Sequence, residues 1–181
     1  MVSNEEISVN KRNGRGKESL QIDKIHAMVG FATEGITGVS ASHVEMNSGI
    51  QLFDGISTAD IQQILIKSAN DLITLENPNY QYVAARLLLF SLRKQLFHRL
   101  WDHPKLLDHI KKLIDMGLYD KDILVKYDES EIDRMDMWID HERDYNFTYA
   151  GLRQVMDKYL VQDRSTGDIF ETPQFMYMMI S

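Results

Sequence analysis

No cysteine occurs anywhere in this chain of 181 residues. Whatever fold it takes must be held by buried apolar surface and hydrogen bonds, because disulfide scaffolds, thiolate zinc knots and iron–sulfur clusters are excluded together. The same zero removes thiol nucleophiles and thiyl radicals from the chemistry open to this polypeptide. At 44% apolar and 26% charged residues, with 3 prolines, the chain has material for one large globular domain or two small ones.

Hydrophobic periodicity predicts a mainly helical protein with a little β-structure. Ile7 and Val9 alternate with polar residues, Asn13-Gly14 offers a two-residue turn, and Leu20 and Ile22 resume the alternation, which predicts a hairpin over 6–19. Asp23 stands as an N-cap before Ile25, Met28, Val29 and Ala32, with Gly35 as a stop. A second helix is expected from a Ser42 cap to Asp54-Gly55. A third, capped by Ser57 or Thr58, carries the stripe Ile61, Ile64, Leu65, Ala69, Leu72 and Ile73. After Asn77-Pro78, a fourth runs from about Asn79 to His98.

Beyond this unit, helical patterns recur over 104–116, 130–141 and 148–159. Leu160-Val161, a Ser165-Thr166-Gly167-Asp168 turn and Ile169-Phe170 then predict a second hairpin. The segment Phe175-Met176-Tyr177-Met178-Met179-Ile180 is apolar and requires cover, from this chain or from another polypeptide.

Residues 1–98 carry 9 Lys/Arg against 10 Asp/Glu, and residues 99–181 carry 11 against 17, so most of the net charge of −7 sits in the second half. Such a surface disfavours nucleic acid but allows a small anion on the first half. No stretch approaches the roughly 18–20 apolar residues of a membrane span. The N-terminus MVSNEEISVN lacks the bases of a secretory signal, so a cytoplasmic location without membrane contact is expected.

Several familiar sites fail on spacing. Gly16-Lys17 has Lys11 where a P-loop needs its first glycine and Glu18 where it needs Ser or Thr. His141-Glu142 begins a helical zinc motif whose second histidine is replaced by Tyr145, and His98, His103 and His109 are poorly spaced as ligands. These histidines read as surface or core-rim residues, with no metal site and no catalytic residue assigned. There remains the basic hairpin Val9–Lys17, running into a helix start at Asp23-Lys24-Ile25. Its cations beside helix N–H donors suit a triphosphate; equally, basic residues on a short edge hairpin discourage edge pairing.

The words Lys11-Arg12-Asn13-Gly14, Gln21-Ile22-Asp23-Lys24-Ile25, Asp54-Gly55-Ile56-Ser57-Thr58-Ala59-Asp60-Ile61 and Tyr80-Gln81-Tyr82-Val83-Ala84-Ala85-Arg86-Leu87 resemble the ATP-cone of the class I ribonucleotide reductase large subunit. His141-Glu142-Arg143-Asp144, Lys158-Tyr159-Leu160-Val161 and Thr166–Phe175 resemble the helical segment that follows the cone in aerobic enzymes of bacteria and their large phages. The resemblance implies an ATP-cone over 5–98, a short β-hairpin capping a four-helix bundle, and over 99–181 the helical start of the reductase N-terminal domain, ahead of the catalytic barrel.

It further implies that ATP or dATP, with Mg2+, binds as an allosteric effector. Carried over by motif, Lys11, Glu18, Asp23, Lys24, Thr58 and Lys94 would approach the nucleotide: the lysines as point charges, Thr58 as a hydroxyl at a helix start, Glu18 as an acceptor. Arg12 alternates in direction with Lys11 and is weaker, and nothing is transferred onto Arg15, Gly16 or Lys17. Residue by residue the local roles stay open: Lys24 serves a helix surface, Thr58 an N-cap and Lys94 a helix C-terminus equally well.

Two departures bear on regulation. Cones inhibited by dATP commonly carry a histidine one turn after the threonine and another three residues before the lysine, where this chain has Gln62 and Ser91. Nucleotide binding without feedback inhibition is the expectation. The family's cysteine-bearing barrel is also missing, so this polypeptide alone cannot reduce a ribonucleotide. It reads as an N-terminal fragment or split part of the large subunit, partnered by the remainder of that subunit, its dimer mate and the radical-generating small (beta) subunit. The other reading is a free-standing cone that senses nucleotide without reductase activity.

Overall fold

The computed structural model describes residues 8–10, 16–49 and 55–181. Contacts divide the chain into two compact units: the first runs to Ser91 and takes in Thr148–Ala150, and the second comprises Leu92–Phe147 and Gly151–Ser181. The division falls inside a continuous helix rather than after it.

In the first unit, β1 (Ser8–Asn10) and β2 (Lys17–Ser19) pair antiparallel, with Val9 opposite Glu18. The expected Asn13-Gly14 turn lies outside the described residues. Leu20 and Ile22 do not prolong the strand: α1 (Ile22–Thr33) begins at Ile22, with Gln21 rather than Asp23 at the N-cap position. Asp23 sits instead in the first turn, where a carboxylate favours the positive end of the helix. The stripe Ile25, Met28, Val29 and Ala32 is buried throughout, and Gly35 takes a positive φ of 70° just past the helix end.

The second helix is shorter than its sequence suggests. α2 (Ala41–Ser48) has Ser40, not Ser42, at its N-cap and stops at Gly49, whose left-handed φ of 49° closes it; residues 50–54 are outside the described set. Unexpected from sequence is β3 (Ile56–Ser57), which pairs parallel with β1 and makes a three-stranded sheet in the order β2-β1-β3. β3 runs directly into α3 (Thr58–Asp71), followed by α4 (Tyr80–Phe97).

On α3 the buried face comprises Ile61, Gln62, Leu65, Ile66, Ser68 and Ala69, so Ile73 is exposed and two polar residues take core positions. Both are satisfied: Gln62 Nε2 donates to the Leu87 carbonyl at 2.9 Å and Ser68 Oγ to that of Val44 at 2.6 Å. The start of α4 is tied to the turn after α1, through Arg86 Nη1 to the Glu34 carbonyl at 2.6 Å and Asn79 Nδ2 to that of Thr37 at 2.9 Å.

In the second unit, α5 (Leu106–Asp115) and α7 (Glu129–Asp136) pack together, and α9 (Pro173–Ile180) lies against the 3₁₀ segment His141–Asn146. A short α6 (Ile123–Lys126) and, from Gly151 on, α8 (Tyr149–Lys158) complete its helical elements. Leu106, Ile110, Ile132 and Phe175 form the core. α7 is started by a full capping box between Asp128 and Glu131. The second hairpin contracts to one bridge, Gln162 with Ile169, closed by Phe170 N–H to the Val161 carbonyl at 2.9 Å. The apolar segment 175–180 is helical; it buries Phe175 and Met176 and leaves Ile180 exposed.

Candidate functional site

The end of β1, the whole of β3 and the start of α3 meet at one place in the first unit. Asn10 is in register with Ser57 across the parallel pair, and its Nδ2 donates to the Gly55 carbonyl at 2.6 Å. Gly55 N–H donates to the Ser8 carbonyl at 2.9 Å, and its φ of 87° is a conformation that L side chains rarely adopt. These bonds fix the entry into α3. Ser57 Oγ accepts the Asp60 N–H at 3.0 Å and donates to the Asp60 carboxylate at 2.7 Å. The cap is therefore Ser57, and Thr58 is the first helical residue, half-buried, at the positive end of α3.

Of the six residues singled out by sequence, Lys11 lies outside the described residues, directly after Asn10 in the chain. Glu18 is half-buried on β2, in register with Val9, so the sheet sets Glu18 and β3 on opposite sides of β1. Asp23 and Lys24 are exposed in the first turn of α1. Lys94 is half-buried in the last turn of α4 and belongs to the second unit. Glu18 and Thr58 are thus carried by one sheet and the helix growing out of it.

Gln62 and Ser91, at the two positions of regulatory interest, are both buried. Gln62 is committed to the Leu87 carbonyl, which engages its amide between α3 and α4.

Sequence reasoning did not foresee the ionisable cluster of the second unit. Arg93 is 1% exposed; its Nη1 donates to the Tyr145 hydroxyl at 2.9 Å and its Nη2 to the His141 carbonyl at 2.6 Å, with Asp144 Oδ2 at 3.7 Å. Burial pushes Asp144 up to about 6 despite Arg93 and the bond from Gln174 Nε2 at 2.8 Å. His103 stacks on His141 with ring centroids 3.8 Å apart, and His109 stacks on Phe175 at 4.3 Å. Burial lowers His103 to about 3 and His109 and His141 to about 4, leaving all three neutral at pH 7. His109, at 2% exposure, is a core residue rather than a rim residue. Burial also raises Glu171, and it raises the Tyr119 hydroxyl that is hydrogen-bonded to it.

Among the described residues no three His, Asp or Glu side chains converge to hold a metal ion. A cavity of about 330 Å³ is lined in part by Arg99, Asp102, His103, His109 and Lys112, and an apolar one of about 570 Å³ by Ile110, Tyr127, Met135, Trp138 and Met178 among others. No described helix is long and apolar enough to cross a membrane.

The ATP cone domain family matches residues 7–95. The chain is similar to ribonucleoside-diphosphate reductase 1 subunit alpha of Escherichia coli, at 46% identity over 98% of this chain and 23% of that protein. The alpha subunit of Haemophilus influenzae is 47% identical over the same shares, and that of Enterobacteria phage T4 is 43% identical over 96% of this chain and 23% of its own length. The chain thus spans about a quarter of the length of these relatives.

Proposed function

Since the chain belongs to the ribonucleoside-diphosphate reductase alpha-subunit family and carries its ATP-cone, we propose that it binds ATP or dATP as the effector that sets reductase activity in deoxyribonucleotide synthesis. The observation that carries this reading is the juncture of β1, β3 and α3 inside the matched cone, where Ser57 and Asn10 hold the α3 N-terminus in place. A phosphate chain there meets helix N–H groups and the Thr58 hydroxyl, with Lys11 and Lys94 as counter-charges. Glu18 accepts from the sugar or base. Asp23 and Lys24, exposed in the first turn of α1, are the outer members of the set. Mg2+ comes with the triphosphate, whose own oxygens supply most of its ligands.

The functional unit is taken as residues 5–98, with 99–181 as the helical start of the reductase N-terminal domain. Catalysis belongs to the other three quarters of an alpha subunit, in the same chain or a second one, in a cytoplasmic assembly with a dimer mate and the radical-generating beta subunit. Gln62, held by the Leu87 carbonyl, supports a cone that binds nucleotide without the inhibitory response to dATP.

Calorimetric titration of the chain with ATP and with dATP tests the binding. Affinity at micromolar to sub-millimolar nucleotide is expected, and Thr58→Val should weaken it. No binding at about 1 mM nucleotide overturns the reading. In an assembled reductase carrying this cone, dATP is expected to leave turnover unchanged; full inhibition refutes the account of Gln62 and Ser91.

A further inference from the structure

We infer that Arg93 is a positioning residue for Lys94, and that the buried network holding Arg93 sets where the Lys94 ammonium reaches. The inference rests on reading Lys94 as a phosphate contact.

Lys94 sits where a helix is least able to hold a side chain in place. α4 ends at Phe97, His98 follows with a positive φ of 59°, and the last carbonyls of a helix have no partner further along it. Fraying or rotation of this turn would swing an ammonium carried on a four-carbon stem by several ångströms. Its neighbour prevents this. The Arg93 guanidinium is gripped from outside its own helix, by the Tyr145 hydroxyl, the His141 carbonyl and the Asp144 carboxylate, and lies 5.0 Å from the centre of the Tyr145 ring.

The grip is braced in turn. Asp144 Oδ1 accepts from Gln174 on α9, so the 3₁₀ segment cannot shift without disturbing a second helix. Consecutive helical residues point about 100° apart, so fixing the inward direction of Arg93 fixes the direction in which the Lys94 side chain leaves the helix.

Stability alone is a poor reason for this arrangement. A buried Arg–Asp pair gains little over apolar residues of the same volume, because both ions must be stripped of water. Here the two ions approach only to 3.7 Å, longer than a charge-assisted hydrogen bond. What it does supply is one defined rotation of the end of α4.

The test is a double-mutant cycle on the full chain, with ATP affinity as the readout and far-UV circular dichroism as the check on folding. Lys94→Met should weaken ATP about tenfold, the loss of one charge-assisted contact. Asp144→Asn should weaken it severalfold, and should cost nothing further in the Lys94→Met background, because its effect passes through Lys94. If Asp144→Asn does not fold, Tyr145→Phe, which removes the acceptor of Arg93 Nη1, takes its place in the cycle. Normal ATP affinity in Asp144→Asn, or losses that add in full, overturns the positioning role and leaves the Lys94 contact standing. Normal affinity in Lys94→Met overturns both, and absence of ATP binding to the unaltered chain overturns the nucleotide reading itself.

Discussion

Among the described residues, the polar side chains buried in the first unit are Gln62, Ser68 and Ser91, all uncharged, whereas the second unit buries Arg93, His109, Asp144 and Glu171. The first answers its core polar groups with helix carbonyls, as Gln62 does with Leu87 and Ser68 with Val44. Such bonds do not titrate. The second relies, besides Arg93, on histidine and carboxyl side chains whose charge depends on pH. The contrast teaches that buried polar groups can be satisfied by partners indifferent to pH in one unit and by titratable side chains in the other.

The sharpest way to break the comparison is through the core. Phe175, fully buried and stacked on His109, should cost about 3–5 kcal/mol when replaced by Ala. Both tryptophans, Trp101 and Trp138, lie in the second unit. Their fluorescence in a urea titration should therefore report the loss, while circular dichroism retains the helical signal of the first unit to higher urea.

Acid comes next. His103, His109 and His141 have folded values near 3 to 4, below their ordinary 6.5, so the unfolded chain takes up their protons first. Their contribution to stability is present above about pH 6.5 and is lost as pH falls toward 4. Asp144, raised to about 6, and Glu171, raised by burial, act with the opposite sign, since the folded protein takes up those protons first. Three large histidine shifts outweigh two carboxyl shifts, so the fluorescence-detected midpoint should fall between pH 7 and pH 4. His109→Leu should flatten that dependence, and an unchanged slope would refute the assignment of His109 as a neutral core residue.

A smaller effect is expected from Gln62→Leu, which exchanges a buried amide bond for apolar contact and should change stability by about 1 kcal/mol or less, equally at pH 7 and pH 5. A pH-dependent loss, read by circular dichroism, would mean that the first unit is not the indifferent one. Smallest of all, Lys67→Ala on the exposed i, i+4 pair with Asp71 should stay within about 0.5 kcal/mol. A larger drop in urea midpoint would show that the surface of α3 contributes more than its exposure implies.

How far the sequence could be read depended on how local each feature is. The stripe of α1 is buried residue for residue because a helical face is decided within twelve positions. β3 was out of reach: two residues carry no period, and their pairing with β1 is made across the intervening helices. Gln62 would be assigned to the solvent face on residue type alone, and the carbonyl that buries it lies 25 positions away. Arg93 is the extreme case, an arginine near the end of a long helix whose partners are 48 and 52 residues further on.

By itself the sequence determined the helical character, the order of most elements, the family words around Lys11 and Thr58, and that these 181 residues hold no thiol. These follow from residue type and from periods of a few positions, which physics reads locally. The tertiary structure alone decided that Ser57 rather than Thr58 caps α3, that Gln62 turns inward, and that the Tyr145 hydroxyl, the His141 carbonyl and the buried Asp144 grip Arg93. Burial, and with it the cost or benefit of a charge, depends on which distant segments close over a side chain, and no local pattern specifies that.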